Sequence, residues 1–478
     1  MGWRSSRRIQ RWRRPRRTTR QRVLLGLGVV LAVVLLGGVG GGGYLVSRDV
    51  RRHLDPAPTP PPTPSALVQA TATPPTASPP AAAPPARAAA VAAAIRAAVH
   101  APGLGGRLLA QVVDAETGTV LYTQSPAIAA APASTAKLVT TAAVLATRGP
   151  DYRIVTSVRA RAGTLYLVGG GDPTLTGASG KAVPAYPGAA KLADLAAAVK
   201  SAKVPVRRIV IVDSAFSGPS VSPSWASDDV PSAFGAPITA VMLDGGRATP
   251  GAVVRTNSPD LVAGRRLAAL LGKPALPVTR GLADPGASEV GQVQSAPMSV
   301  LVQQTLEQSD NVLAEMLARQ VAIATNQPAS FLGAAKAIRT TLAGLGVDVG
   351  GAMVDGSGLA ARDRISPSAL VAVLRIVVDP TRPALHGVVA GLPVAGWSGT
   401  LASRYLSGTS VVGAGAVRAK TGTLTGVSSL AGYIHDAGGR LLAFAFLADK
   451  VPASEAGTIA AEGALDRIAS SLAACVCR

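Results

Sequence analysis

The chain has nine lysines, and only Lys137 has a serine three residues before it, in Ser134-Thr135-Ala136-Lys137. A serine hydroxyl is a poor nucleophile at neutral pH and needs a neighbouring base to take its proton. A lysine amine can be that base when desolvation or nearby cations lower its pKa. One of only three asparagines completes a second cluster, Ser309-Asp310-Asn311. There a hydroxyl could relay a proton while an amide orients a substrate carbonyl. The third cluster is Lys420-Thr421-Gly422, followed by Thr423. Its ammonium could hold a carboxylate, and Gly422 would let a substrate backbone approach closely. Taken singly, the three read as a surface helix, a helix cap and a strand end. Together, in this order, they offer a nucleophile with a base, a proton relay beside an amide, and a site for an anion.

The elements around them suit that chemistry. Pro132 precedes the first cluster, and LVTTAAVLATRG runs on to Gly149-Pro150, a helix stop. Ser134 and Lys137 therefore sit one turn apart at a helix N-terminus, where backbone N–H groups face a developing oxyanion. Ser309-Asp310-Asn311 falls between two helical stretches, Pro297–Gln308 and Val312–Ala322. Lys420 begins a strand-like segment ahead of a hairpin formed by Ser428–His435 and Leu441–Ala448. An earlier hairpin joins Arg107–Asp114 to Thr119–Thr123 across Glu116-Thr117-Gly118. A helix is expected over Arg87–His100, and another over about 453–473. Strands at both ends with helices between predict one α/β (α+β) domain whose sheet is assembled from both termini. Strand candidates Thr164–Val168 and Arg208–Val212, with Gly/Pro turns, read as an insertion.

The ordered trio S-x-x-K, S-D-N and K-T-G resembles the signature of serine β-lactamases and penicillin-binding proteins. Further stretches narrow the resemblance: Leu167–Leu175 (LVGGGDPTL), Val212–Phe216 (VDSAF), Gly235-Ala236-Pro237, Asn311–Glu315 (NVLAE), Asp355–Leu359 (DGSGL) and Leu392–Leu401 (LPVAGWSGTL). Over about residues 90–472 the chain is similar to the class C low-molecular-mass penicillin-binding proteins. These are D-Ala-D-Ala carboxypeptidase/endopeptidases, peptidase family S13. The resemblance implies a penicillin-binding-protein/β-lactamase-like transpeptidase fold with a domain inserted between the first two motifs. The gap from Ser134 to Ser309 is shorter than in the fuller members, and Asp244-Gly245-Gly246 departs from their asparagine-rich ending. The resemblance also implies roles. Ser134 is the nucleophile and Lys137 its base. Ser309 relays a proton, Asn311 holds the substrate amide, and Lys420, Thr421 and Thr423 bind a terminal carboxylate across Gly422. The backbone N–H groups of Ser134 and Thr423 form the oxyanion hole.

The formal net charge of +21 invites a nucleic-acid reading, which fails once the charge is mapped. Residues 1–86 hold 13 Lys+Arg against 2 Asp+Glu, leaving 34 against 24 on the rest. Ten arginines lie between Arg4 and Arg22, followed at once by the apolar run Val23–Val46. As a helix those residues would span about 36 Å, enough for a hydrocarbon core. Arginine on one flank predicts a cytoplasmic N-terminus and an exported remainder. A cleaved signal peptide, with Val23–Leu36 as its apolar core, is the alternative. Twelve prolines between Asp55 and Ala86 make an extended spacer reaching on the order of 100 Å.

The expected organisation is therefore a basic tail (1–22), a transmembrane anchor (23–46), a Pro-rich linker (47–86), a first catalytic part (87–155), an inserted domain (156–289) and a second catalytic part (290–478). The expected function is an exported, membrane-anchored serine DD-peptidase acting on peptidoglycan stem peptides, with β-lactam antibiotics as covalent inhibitors. Whether it also cuts D-Ala–diamino acid cross-links stays open. A serine β-lactamase and a non-catalytic wall-binding protein are the rivals. No metal or other cofactor is expected, given four histidines and no H-E-x-x-H. A Ser-His-Asp triad is not supported, since His53 lies beside the anchor and His435 at a hairpin edge. The only cysteines, Cys475 and Cys477, exclude a disulfide-built fold, and their pairing stays open.

Overall fold

The computed structural model describes residues 85–478. The expected basic tail, the anchor and the spacer up to residue 84 lie outside the described residues. Among those described, no helix is long and apolar enough to cross a membrane.

In chain order, β1 (Leu109–Asp114) and β2 (Val120–Gln124) open a first sheet. A second sheet follows, from β3 (Val155–Arg161), β4 (Thr164–Gly169), β5 (Arg208–Val212), β6 (Val278–Arg280) and β7 (Ser288–Gln294). Strands β8 (Val417–Leu424), β9 (Val427–His435) and β10 (Leu441–Ala448) then return to the first. The first sheet has the order β2-β1-β10-β9-β8 and is antiparallel throughout, with Leu109 opposite Leu447 and Lys420 opposite Ala431.

Strand β10 reads LLAFAFLA because both its faces are covered. Side-chain alternation sorts it: Leu442, Phe444 and Phe446 face one core, Ala443, Ala445 and Leu447 the other. The first core is closed by helix α1 (Ala88–Ile95) and by the C-terminal helix, numbered α9 below. The second is closed by α2 (Ala136–Arg148), α5 (Met298–Glu307), α6 (Asn311–Ala324), α7 (Phe331–Gly344) and α8 (Pro367–Val377). Helices α3 (Leu192–Ser201) and α4 (Pro259–Leu270) cover the second sheet, which has its own apolar core. The C-terminal helix, α9, is Glu455–Ala474.

Helix α2 is apolar nearly all round, and every residue from Ala136 to Leu145 is buried, so it runs through the middle of the molecule. Its two central threonines are satisfied internally: Thr140 donates to the Gly356 carbonyl and Thr141 to that of Lys137. The helix stops at Gly149, in the left-handed region at φ 76°. The expected helix over Arg87–His100 is shorter than its composition suggested. Alpha geometry ends at Ile95 and a 3-10 turn covers Ala98–His100, just before Pro102. Cys475 and Cys477 are joined by a disulfide. The Cys477 carbonyl accepts from the Arg87 N–H, so the C-terminus is tied to the start of α1.

Candidate active site

Ser134 sits in a 3-10 turn, Ala133–Thr135, that feeds directly into α2. Ala133 takes φ 48°, a left-handed conformation that costs a non-glycine residue about 1–3 kcal/mol. Strain of the same kind recurs at Ser309, with φ 55° between α5 and α6. Asp310 caps α6, its Oδ1 accepting from the N–H groups of Val312 and Leu313. That cap turns Ser309 and Asn311 toward the start of α2.

The Lys137 ammonium is fully buried and donates to three oxygens: Ser134 Oγ at 2.8 Å, Asn311 Oδ1 at 2.6 Å and the Ser357 carbonyl at 2.8 Å. Burial pulls its pKa down to about 8, against the opposing charges of Asp355, Asp310 and Glu315. A free amine is then within reach of neutral pH, aimed at the serine hydroxyl. Across the cleft, buried Lys420 donates to Ser309 Oγ at 2.9 Å and to the Thr421 carbonyl at 2.9 Å. Burial first, then Lys137 and Arg404, push its pKa well below the usual lysine value. Lys420 belongs to β8, an edge strand of the first sheet. Gly422 explains why β8 can lie so near the nucleophile. A Cβ there would stand 2.7 Å from the Pro132 carbonyl oxygen and 3.0 Å from the Ser134 nitrogen.

The five residues expected to be catalytic thus fall in two hydrogen-bonded groups around one cleft, Ser134 and Asn311 on Lys137, and Ser309 on Lys420. Ser134, Ser309 and Asn311 line an open cleft of about 870 Å³ with Thr421 and Thr423. Other members carried no signal, or a weak one, in the sequence. Thr400 shares a hydrogen bond with Thr421 (2.8 Å) and comes from the LPVAGWSGTL stretch. Phe234, 63% exposed, offers its carbonyl to the Asn311 amide at 3.1 Å. Glu462 on α9 accepts from the Thr423 hydroxyl at 2.9 Å.

The residue between Ser309 and Asn311 links the two sheets' surroundings. Asp310 Oδ2 accepts from Arg255 Nη2 at 2.6 Å and from the Tyr186 hydroxyl at 2.7 Å. Both partners belong to the segment that carries the second sheet. Burial pushes the Asp310 carboxyl up, but Arg255, Arg247 and Tyr186 outweigh it and hold it below the usual carboxylate range.

The model of the D-Ala-D-Ala carboxypeptidase (S13) family matches residues 91–262 and 248–472. The chain belongs to that family. It is 38% identical over 436 residues to the carboxypeptidase DacB of Mycolicibacterium smegmatis, covering 89% of this chain and 92% of that protein. A carboxypeptidase of Mycobacterium tuberculosis is 40% identical over 380 residues, or 78% of this chain and 81% of that one. Among solved structures, penicillin-binding protein 4 of Haemophilus influenzae superposes with a TM-score of 0.66 at 21% identity, covering 80% of this chain and 98% of that one. That likeness shows the penicillin-binding-protein type of α+β fold.

Proposed function

We propose that this S13 member is a serine DD-peptidase that cleaves the D-Ala-D-Ala ends of peptidoglycan stem peptides through an acyl-enzyme on Ser134. The observation that carries the reading is the Lys137 amine, buried, shifted toward neutrality and 2.8 Å from Ser134 Oγ. Free Lys137 removes the serine proton as Oγ attacks the penultimate carbonyl. The N–H groups of Ser134 and Thr423 receive the oxyanion. Ser309, hydrogen-bonded to Lys420, delivers a proton to the departing amine, and Asn311 orients the scissile amide. Lys420, Thr421 and Thr423 hold the terminal carboxylate while Gly422 keeps the strand close. Water then releases the acyl group. A β-lactam presents the same carbonyl and carboxylate and acylates Ser134 in its turn.

The division of the chain belongs to the same reading: a catalytic unit in two parts, 87–155 and 290–478, interrupted by an inserted domain over 156–289. The separate second sheet and its own core support that division. The arginine-flanked apolar run 23–46 supports a single membrane anchor with the catalytic unit outside, and the concentration of arginine in the first 22 residues supports a role in membrane orientation over nucleic-acid binding.

Intact-mass measurement after incubation with a penicillin tests the core of this function. A stable adduct on the chain, absent from Ser134→Ala, is expected. Rapid turnover of the drug would make it a β-lactamase, and no adduct would end the enzymatic reading. Membrane fractionation decides the anchor: recovery in the soluble fraction with the first residues removed would replace it by a cleaved signal.

A further inference from the structure

Lys137 is gripped from behind by a loop that the mechanism above does not use. Its third acceptor, the Ser357 carbonyl, lies in Asp355–Leu359. The loop is pinned from every side. Glu315 Oε1, on α6, accepts from the N–H groups of Gly356 (2.9 Å) and Ser357 (2.8 Å). Asp355 Oδ1 accepts from Ser357 (3.1 Å) and Gly358 (2.7 Å), and Oδ2 from the Ala360 N–H and the Trp225 indole, both at 2.8 Å. Gly358 is pressed on the nucleophile turn: at φ 77°, an added Cβ would lie 1.9 Å from the Ala133 carbonyl oxygen.

Next to Asp355 is a second buried acid. Asp363 accepts the Val354 N–H through Oδ1 at 2.7 Å, while its Oδ2 meets no donor. Its carboxyl lies beside that of Asp355, near enough for the Asp355 charge to bear on it. Neither side chain has water to dilute its charge, since both residues are 0% exposed. Two ionised carboxylates cannot share such a contact; one keeps a proton. Asp355, with four N–H donors around it, is the better anion, so the proton belongs to Asp363. Burial and the neighbouring Asp355 charge agree, pushing Asp363 up to about 10. The other charged groups facing this pocket are Glu315 and Arg319 from α6, Lys137 from α2, and Arg255 and Asp310 at the cleft. Burial and Asp355 raise Glu315 to about 7, with Arg319 pulling it back. Arg319 itself is packed between the rings of Phe331 and Phe216.

We propose that Asp355 and Asp363 share one buried proton, carried on Asp363, and that this singly charged pair is the positioning element of Lys137. It fixes the Ser357 carbonyl on the amine and supplies the constant negative charge against which the amine releases its proton. The role in catalysis rests on Lys137 being the base for Ser134; the shared proton does not.

Two readouts test it on the full chain. In the infrared, the wild type at about pH 8 shows the carbonyl stretch of a protonated carboxylic acid, and Asp363→Asn loses it. No lost band overturns the proposal whatever the activity. Acylation by a penicillin across pH is the second readout. Asp363→Asn keeps the hydrogen bonds of a protonated acid and superposes on the wild type. Asp355→Asn removes the charge, so Lys137 sheds its proton more easily and the acid limb moves about one unit lower. A folded Asp355→Asn whose limb stays in place overturns the proposal. So does an Asp363→Asn limb displaced by about half a unit or more, a result that decides the matter even if Asp355→Asn fails to fold. Failure of the wild type to be acylated at all would instead end the function proposed above, leaving the infrared result to judge the proton.

Discussion

Replacing Arg255 by methionine should damage both stability and acylation, although the side chain is not assigned to touch substrate. Arg255 is 5% exposed and reaches three acceptors: the Gly245 carbonyl at 2.8 Å, the Ala233 carbonyl at 2.7 Å and Asp310 Oδ2 at 2.6 Å. Methionine fills most of the stem and removes the charge. Leaving one member of a buried ion pair alone costs about 3–5 kcal/mol. Here Asp310 keeps the Tyr186 hydroxyl, and Arg247 Nη2 stands 3.7 Å away, so the lower end applies. The two abandoned carbonyls add about 1 kcal/mol each, for a total of about 5 kcal/mol. The sign of the pH dependence follows. Asp310 is held below its unfolded pKa, so its contribution is present above about pH 4 and is lost as pH falls through the lower, folded value. The deficit of Arg255→Met is therefore largest at neutral pH and narrows in acid. The double variant Arg255→Met/Asp310→Asn no longer buries a lone carboxylate and should recover about 2 kcal/mol relative to additivity. Urea unfolding at neutral and acid pH measures all of this, and penicillin acylation should fall more than about tenfold as Ser309 and Asn311 lose their setting. A deficit under about 1 kcal/mol at neutral pH, or strictly additive variants, would refute the coupling of the second-sheet segment to the catalytic loop.

Two further outcomes follow from the site. Because the Lys137 pKa is lowered to about 8, the acylation rate should rise about tenfold per unit between roughly pH 6 and 7 and level off above pH 8; a flat profile over that range, measured with a chromogenic β-lactam, would remove Lys137 as the base. Gly422→Ala places a methyl against Ser429 Oγ, the Pro132 carbonyl and the Ser134 nitrogen, so it should cut acylation about a hundredfold and lower the melting temperature, and wild-type acylation would contradict the close approach of β8.

Much of the fold is legible in local signals. The hairpin Ser428–His435/Leu441–Ala448 is β9 and β10 within a residue, Arg208–Val212 is β5, and the last helix differs by one or two residues at each end. Each depends on neighbours in sequence: turn glycines, alternation, apolar spacing. The three clusters were legible because lysine and asparagine are rare here and their order is unusual. What stayed hidden depends on pairs far apart in the chain. Nothing near Arg255 announces Asp310, since many arginines look alike until one is buried. Phe234 serves through its backbone, which carries no residue signature. Asp355–Leu359 stood out as a stretch, yet its grip on Lys137 exists only once α2, α6 and the loop are packed together. The break of α1 at Ile95 was missed because alanine favours helix wherever packing does not intervene.

The pairing of β1 with β10 sets the order in which the molecule can be finished. Leu109 leaves the ribosome long before Leu447, yet they are partners in adjacent strands. The second sheet, complete by Gln294, can assemble while the rest is still being made. The catalytic sheet cannot, and Ser134 must wait for Lys420 as well. Until the last hairpin is synthesised, β1 and β2 are a two-stranded ribbon with an unpaired edge, which is marginal in water. A chain stopped short of Leu441 therefore carries Ser134, Lys137, Ser309, Asn311 and Lys420 without the sheet that brings them together. Non-local closure of this kind is slow and exposes sticky edges, so the growing chain is vulnerable until β10 has joined β1.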